Sequence, residues 1–302
     1  MTPPKPSTIL LSFALFFVFL LMQFPFQNFS GYIFGKIYTN THILLVGKEI
    51  YPSFFGWPGL GIKQVDVTLP VQRDEVDLSA SNLVFRVGIG SLIPPAPSVS
   101  LSMSGLKKGG DLYLKFCDTH STTSTRAEAA DVQLDQIAYS ALPSPISGKL
   151  NLDSSVKLDK TDLAKSTGDA DLAVDKLKIP PLNIQGFVLP ALDIGNVRAK
   201  LQIRNGVVEI PTFQLGAPGS DLSGTITGDL RLGKDVWSSY ANLTLRLQLS
   251  DSYRQNPQAS LLVSLLSSFQ GKTPGSYAMK WSASIGEMTT NLMSAIPQKV
   301  MD

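Results

Sequence analysis

The side chains that most often carry catalysis or hold metals are scarce in this chain: two histidines, His42 and His120, and one cysteine, Cys117. His42 precedes the apolar run Ile43-Leu44-Leu45-Val46, and His120 stands in a Ser/Thr-rich stretch. Neither falls in an HExxH or other metal-ligand spacing, which would bring two rings to one ion. There is no G-x-S-x-G elbow to present a serine nucleophile and no Walker A loop. Gly59-Leu-Gly61 and Gly88-Ile-Gly90 lack the third glycine and the strand-to-helix setting of a dinucleotide site. Asp74, Glu75 and Asp77 cluster in a polar turn between apolar runs and read as a solvated turn. Cys117 follows Leu112, Leu114 and Phe116 on a strand-like run, a place for a small, half-buried side chain without a paired base. The expectation is a protein that is not an enzyme and takes no cofactor and no metal.

With no chemistry to position, the apolar segments carry the information. Ile9 to Phe24 reads ILLSFALFFVFLLMQF, and no charge occurs from Pro6 to Gly35. A helix needs about 20 apolar residues to cross a bilayer, reached here if it runs on to Phe26 or Phe29. Lys5 is the only charge before it, so the positive-inside rule leaves residues 1–8 in the cytoplasm, makes 9–29 the transmembrane anchor and sends 30–302 across the membrane. A cleaved signal peptide would show a shorter apolar core and small residues at its end. Here Gln-Phe-Pro-Phe-Gln-Asn-Phe-Ser follows, with Asn28 and Ser30 the small polar candidates.

The net charge of +2 is spread along the chain without interleaved aromatics, which excludes a nucleic-acid footprint. Charged residues make up 17% of the chain, below the rough quarter of a soluble domain. This points to much apolar surface in a core or a groove. One cysteine cannot form an internal disulfide, so the core alone must hold the fold in an oxidising space.

Residues 30–302 are dominated by period-two alternation, the mark of strands with one apolar and one polar face. Leu222, Ile226 and Leu230 alternate with Ser223, Thr225, Thr227, Asp229 and Arg231, with Gly224 and Gly228 between them. Leu243, Leu245 and Leu247 alternate with Thr244, Arg246 and Gln248. Similar runs occur at Val65–Val71, Leu83–Ile89, Val99–Met103, Leu112–Phe116 and Val197–Ile203. Asn205-Gly206 and Lys107-Lys108-Gly109-Gly110 read as hairpin turns. Pro94 to Pro97, Pro143 to Pro145 and Pro180-Pro181 read as irregular connections within one sheet system, and His120 to Ala130 as a loop leading into a short strand around Val132 to Tyr139. Asn256 is an N-cap, Pro257 suits a first helical position and Gly271 can end the helix. Leu262, Leu265, Leu266 and Phe269 should form its packing face, opposite uncharged serines.

The fold expected is mainly β: an N-terminal transmembrane helix, a large curved antiparallel sheet forming an open groove, half-barrel or sandwich, and one short C-terminal helix. The six residues Leu222, Ile226, Leu230, Leu243, Leu245 and Leu247 are the candidate lining of an apolar lane. Tyr51, Phe54, Phe55 and Trp57 form an aromatic loop suited to a membrane interface.

The anchor followed by Phe24-Pro-Phe-Gln-Asn-Phe-Ser-Gly31-Tyr32, together with the hairpin-and-glycine pattern of Val197 to Leu232, resembles the type II secretion protein N family. It is also similar to the β-groove repeats of AsmA- and TamB-type envelope proteins. The first resemblance implies an accessory inner-membrane component of a type II secretion system, projecting into the periplasm with other secretion components as partners. The second implies a periplasmic protein that binds or transfers membrane lipid.

Overall fold

Strands need alternation, turns that tolerate unusual backbone angles, and neighbours. The chain supplies all three. The structure, a computed structural model, describes residues 28, 30–53, 58–71, 74–92, 95–139, 146–184, 187–217, 219–233, 237–285 and 298–300. The anchor at 9–29 lies almost wholly outside the described residues, as do Phe54, Phe55 and Trp57. Among the described residues no helix is long and apolar enough to cross a membrane.

Helix α1 (Ser30–Thr41) leads into the strands. These are β1 (Leu44–Ser53), β2 (Gly59–Val71), β3 (Asp74–Leu92), β4 (Pro95–Leu106), β5 (Asp111–Asp118), β6 (Thr122–Gln133), β7 (Ala138–Tyr139), β8 (Ser147–Asp159) and β9 (Thr167–Ile179). After them come β10 (Leu182–Ile184), β11 (Phe187–Leu189), β12 (Leu192–Arg204), β13 (Val207–Leu215), β14 (Leu222–Arg231) and β15 (Tyr240–Leu249). Helices α2 (Asp251–Arg254) and α3 (Ser260–Leu266) follow, then β16 (Ser276–Ser284) and β17 (Gln298–Lys299).

One antiparallel sheet holds 15 strands in the order β1-β2-β3-β4-β5-β6-β8-β9-β12-β13-β14-β15-β16-β17, with β7 beside β3; β10 and β11 pair separately. Among the described residues no pairing joins β1 to β17. Most strands pair antiparallel with the strand before or after them in the chain. At Asn205-Gly206 both residues have positive φ, 49° and 71°, as a two-residue turn matching strand twist requires. A side chain on Gly206 would lie 2.3 Å from the Ala164 Cα, so close approach also demands glycine.

Three departures from the sequence reading have local causes. The Ser/Thr stretch is strand β6, not a loop: Thr123, Thr125, Ala127 and Ala129 pair through the backbone with β5 on one side and β8 on the other. Threonine fits a pleated surface well, and its polarity hides that preference. Pro95 opens β4 and Pro97 pairs within it, so this stretch belongs to a strand rather than to an irregular connection. Helix α1, unexpected from the sequence, packs Phe34 and Ile37, three residues apart, against the first core.

The C-terminal helical segment begins as expected, with the Asn256 carboxamide oxygen accepting from the Gln258 N–H at 3.0 Å. Its middle, α3, is flanked by 3₁₀ turns at Pro257–Ala259 and Ser267–Phe269. Leu262, Val263, Leu266 and Phe269 pack inward, whereas Leu265 is 65% exposed. The core has three clusters: one under β1–β8 around Val65 and Val132, one around Val174 and Val197, and one where the C-terminal helices meet Leu249 and Tyr277.

Candidate functional site

Because strands in chain order pair with neighbours, the register carries one face from strand to strand. Val87 of β3 stands opposite Val99, Val99 opposite Phe116, Phe116 opposite Thr125 and Thr125 opposite Val156. The same line continues through Gly168, Ile203, Val208, Leu230, Ala241 and Ala283. It crosses eleven strands, and threonine is its one polar member. At about 4.8 Å per strand the row is roughly 48 Å long. Beside it runs Leu60, Phe85, Leu101, Leu114, Ala127 and Ser154.

Among the described residues these rows are open at their β3–β5 end, whereas Ala241 and Ala283 at the far end are buried. Phe85 is 40% exposed, Val87 50%, Leu114 44% and Phe116 43%. One or two rows along the same strands, Leu83 and Met103 are buried in the first core. The apolar face therefore has a covered side and an open side.

The other face is wet. Glu128 stands opposite Asp153, Asp153 opposite Asp171, and Asp171 opposite Lys200, whose Nζ lies 3.1 Å from the Asp171 carboxylate. The next residue along each of these strands is apolar: Ala129, Leu152, Leu172 and Ala199, paired in one line. Exposed ion pairs such as Lys149–Asp131 at 2.8 Å and Lys63–Glu49 at 3.1 Å add little stability. They keep this face hydrated. A cleft of about 590 Å³ on it is lined by Gln214, Ser223, Thr225, Gln248 and Ser250.

The structure brings the six candidate lining residues together. Ile226 pairs with Leu245, Leu222 with Leu249, and Leu230 with Ala241, while Leu247 and Leu243 face Gly224 and Gly228. A Cβ on Gly224 would meet the Arg246 carbonyl at 2.2 Å, and Gly228 has φ +137° besides a 2.1 Å approach to the Asn242 carbonyl. Glycine at both places lets β14 approach β15 closely. Leu222 and Leu247 lie under the C-terminal helices, so that segment covers one part of the row.

Of the aromatic loop, Tyr51 is described. Its ring packs across Gly61, its hydroxyl donates to Asn82 Oδ1 at 2.5 Å, and Lys63 Nζ lies 5.5 Å from the ring centroid. Ile50 beside it points into the core.

His42 ends α1 with φ +58°, its N–H donating to the Tyr38 carbonyl at 2.8 Å. His120 is exposed, and Cys117 is half-buried on the wet face opposite Ser98 and Ser124. Among the described residues, no three His, Cys, Asp or Glu side chains are grouped to hold a metal ion. Sequence reading recognised the strands of Phe85, Val87, Leu114 and Phe116 but did not single out these residues as lining. Their alternation equals that of the buried rows, and no local signal separates covered from open. Comparison with protein-family models, with curated proteins and with solved structures finds no match.

Proposed function

We propose that the chain is a non-enzymatic envelope protein, anchored in the inner membrane through residues 9–29 with its sheet in the periplasm, and that the apolar face holds the acyl chains of membrane lipid. The observation that carries this reading is the in-register apolar row across eleven strands, with its Val87 and Phe116 and the adjacent Phe85 and Leu114 left open. Contiguous apolar surface of this kind is seldom exposed unless something binds it. Half of a bilayer's hydrocarbon core is roughly 15 Å, so a row of roughly 48 Å is about three acyl-chain lengths. The charged outer face keeps the sheet in water.

Native mass spectrometry of the full chain extracted in mild detergent tests the reading. Phospholipid should co-purify with the wild type and be lost from a Val87→Asp, Phe116→Asp variant that keeps its β circular dichroism. Wild-type protein without lipid, after extraction from phospholipid-rich membranes, would sink it. The resemblance of Val197 to Leu232 to type II secretion protein N supports a second reading, an accessory of the secretion apparatus acting through protein contacts. Crosslinking in intact envelopes separates the two, since capture of secretion components without lipid favours the second.

A further inference from the structure

We propose that the outer, wet face of β13–β16 binds an acidic saccharide, in a trough of neutral hydroxyl and amide side chains around Arg246. The site lies on the opposite side of the sheet from the apolar row and does not depend on the lipid reading.

The first observation is a change of character across the outer face. Over β6–β12 it carries opposed charges, with Glu128, Asp153, Asp171 and Lys200 in one line. Over β13–β17 the register sets out three different rows. Gln214, Thr225, Arg246 and Ala278 form one. Ser223, Gln248 and Ser276 form the second, and Thr227, Thr244, Lys280 and Gln298 the third. Of these eleven residues two are basic and none is acidic. Arg246 and Lys280 are diagonal neighbours on adjacent strands, roughly 7 Å apart. Neither enters an ion pair among the described residues. They repel one another, and a bound anion relieves that repulsion.

The second observation is a trough with a fixed wall. The cleft of about 590 Å³ continues into one of about 260 Å³, and the two share Gly224, Thr225 and Gln248. Arg246 lines the second. Small-molecule sites span roughly 300–1,000 Å³. From β13 to β16 the trough crosses three interstrand spacings, roughly 14 Å, which suits an extended ligand. Its wall is tied down by the protein itself. The Gly216 N–H donates to the Asn196 carbonyl at 2.8 Å, the Ala217 N–H to Ser220 Oγ at 3.1 Å and the Ser250 N–H to the Asp221 carbonyl at 2.9 Å. Gly216 has φ +70°, and a Cβ there would lie 2.3 Å from the Leu222 carbonyl oxygen.

The third is unused bonding capacity. The side chains of Gln214, Ser223, Thr225, Thr227 and Thr244 make no hydrogen bond to another described residue. Hydroxyls elsewhere on the sheet are engaged, Thr68 with Asp77 and Thr123 with Asp118. Hydroxyls and carboxamides both donate and accept, which matches the hydroxyls of a sugar. An acidic peptide asks instead for apolar pockets or a free strand edge. Here β14 and β15 are paired on both sides, and Ala278 is the one apolar side chain of the three rows. The Arg246 guanidinium can take a sugar carboxylate in two parallel hydrogen bonds.

Titration calorimetry of the full chain in a sugar-free zwitterionic detergent tests this. The ligands are tetragalacturonate, neutral maltotetraose and a capped tetraglutamate peptide of equal charge. Tetragalacturonate should bind the wild type about tenfold more tightly than either of the others. Arg246→Gln should weaken it by about tenfold, and Thr225→Val, which removes a hydroxyl at nearly constant size, by about threefold. Lys157→Gln removes a cation elsewhere on the outer face and should change nothing. All three positions are exposed, so thermal circular dichroism should show an unchanged fold. No binding of tetragalacturonate, equal losses in Arg246→Gln and Lys157→Gln, or equally tight binding of maltotetraose or tetraglutamate overturns the proposal. The Val87→Asp, Phe116→Asp variant keeps the two ideas apart, since it should lose lipid and retain the saccharide. Loss of both with intact β circular dichroism would place the saccharide on the apolar face and overturn the outer site.

Discussion

Replacing Val65 and Val87 separately by alanine asks whether the apolar face is open. Both side chains point to the same face from adjacent strands, and both lose the same two methyl carbons. Val65 is 1% exposed and Val87 50%. At about 0.8 kcal/mol per buried carbon, the transfer loss at Val65 is roughly 1.6 kcal/mol. The cavity left in a packed core adds on the order of 1 kcal/mol, giving about 2.5 kcal/mol in all. At Val87 about half the transfer applies, near 0.8 kcal/mol, and solvent fills the space. The strand-propensity change is similar at the two sites and largely cancels. The gap of roughly 1.7 kcal/mol should appear as about 3–6 °C between the two unfolding midpoints. The assay is thermal circular dichroism of the delipidated full chain in detergent. Equal shifts would mean that Val87 is covered by another layer, and the open face would be refuted.

Three further outcomes follow from the same geometry. Leu249→Ala, at a fully buried side chain beneath the C-terminal helices, should cost about 2–5 kcal/mol in denaturant unfolding. Ile226→Asp, which places a charge opposite Leu245, should cost roughly 1–3 kcal/mol, whereas Thr227→Asp on the wet face should stay within about 0.5 kcal/mol; equal melting shifts would show the wrong register. The hydroxyl of Thr161, then the N–H groups of Thr161 and Asp162, hold the Asp159 carboxyl below its usual value. Its contribution is present above the unfolded pKa of about 3.9 and is lost as pH falls through the lower folded value. Asp159→Asn should flatten that part of the acid limb in melting scans between about pH 2 and 5.

What the sequence determined by itself is whatever depends on neighbours along the chain. Alternation assigns each strand its two faces, because successive side chains point to opposite sides. Asn205-Gly206 specifies its hairpin through positive φ, and Asn256 starts its helix through one side-chain acceptor. The shared face of Leu222, Ile226, Leu230, Leu243, Leu245 and Leu247 was legible for the same reason. Tertiary structure decided the rest. Threonine-rich β6 became a strand because two partners pair with its backbone. Leu265 turned outward and Val263 inward because the sheet meets the helical face centred between Leu262 and Val263, a choice among neighbouring faces that only packing makes. Helix α1 was hidden in the sequence because the uncharged run passes Ser30 without a break, and it became distinct only by packing Phe34 and Ile37 against β1. Above all, Val65 and Val87 have the same alternation and opposite exposure. Period two says which way a side chain points; only packing between segments distant in sequence says whether anything lies on top of it.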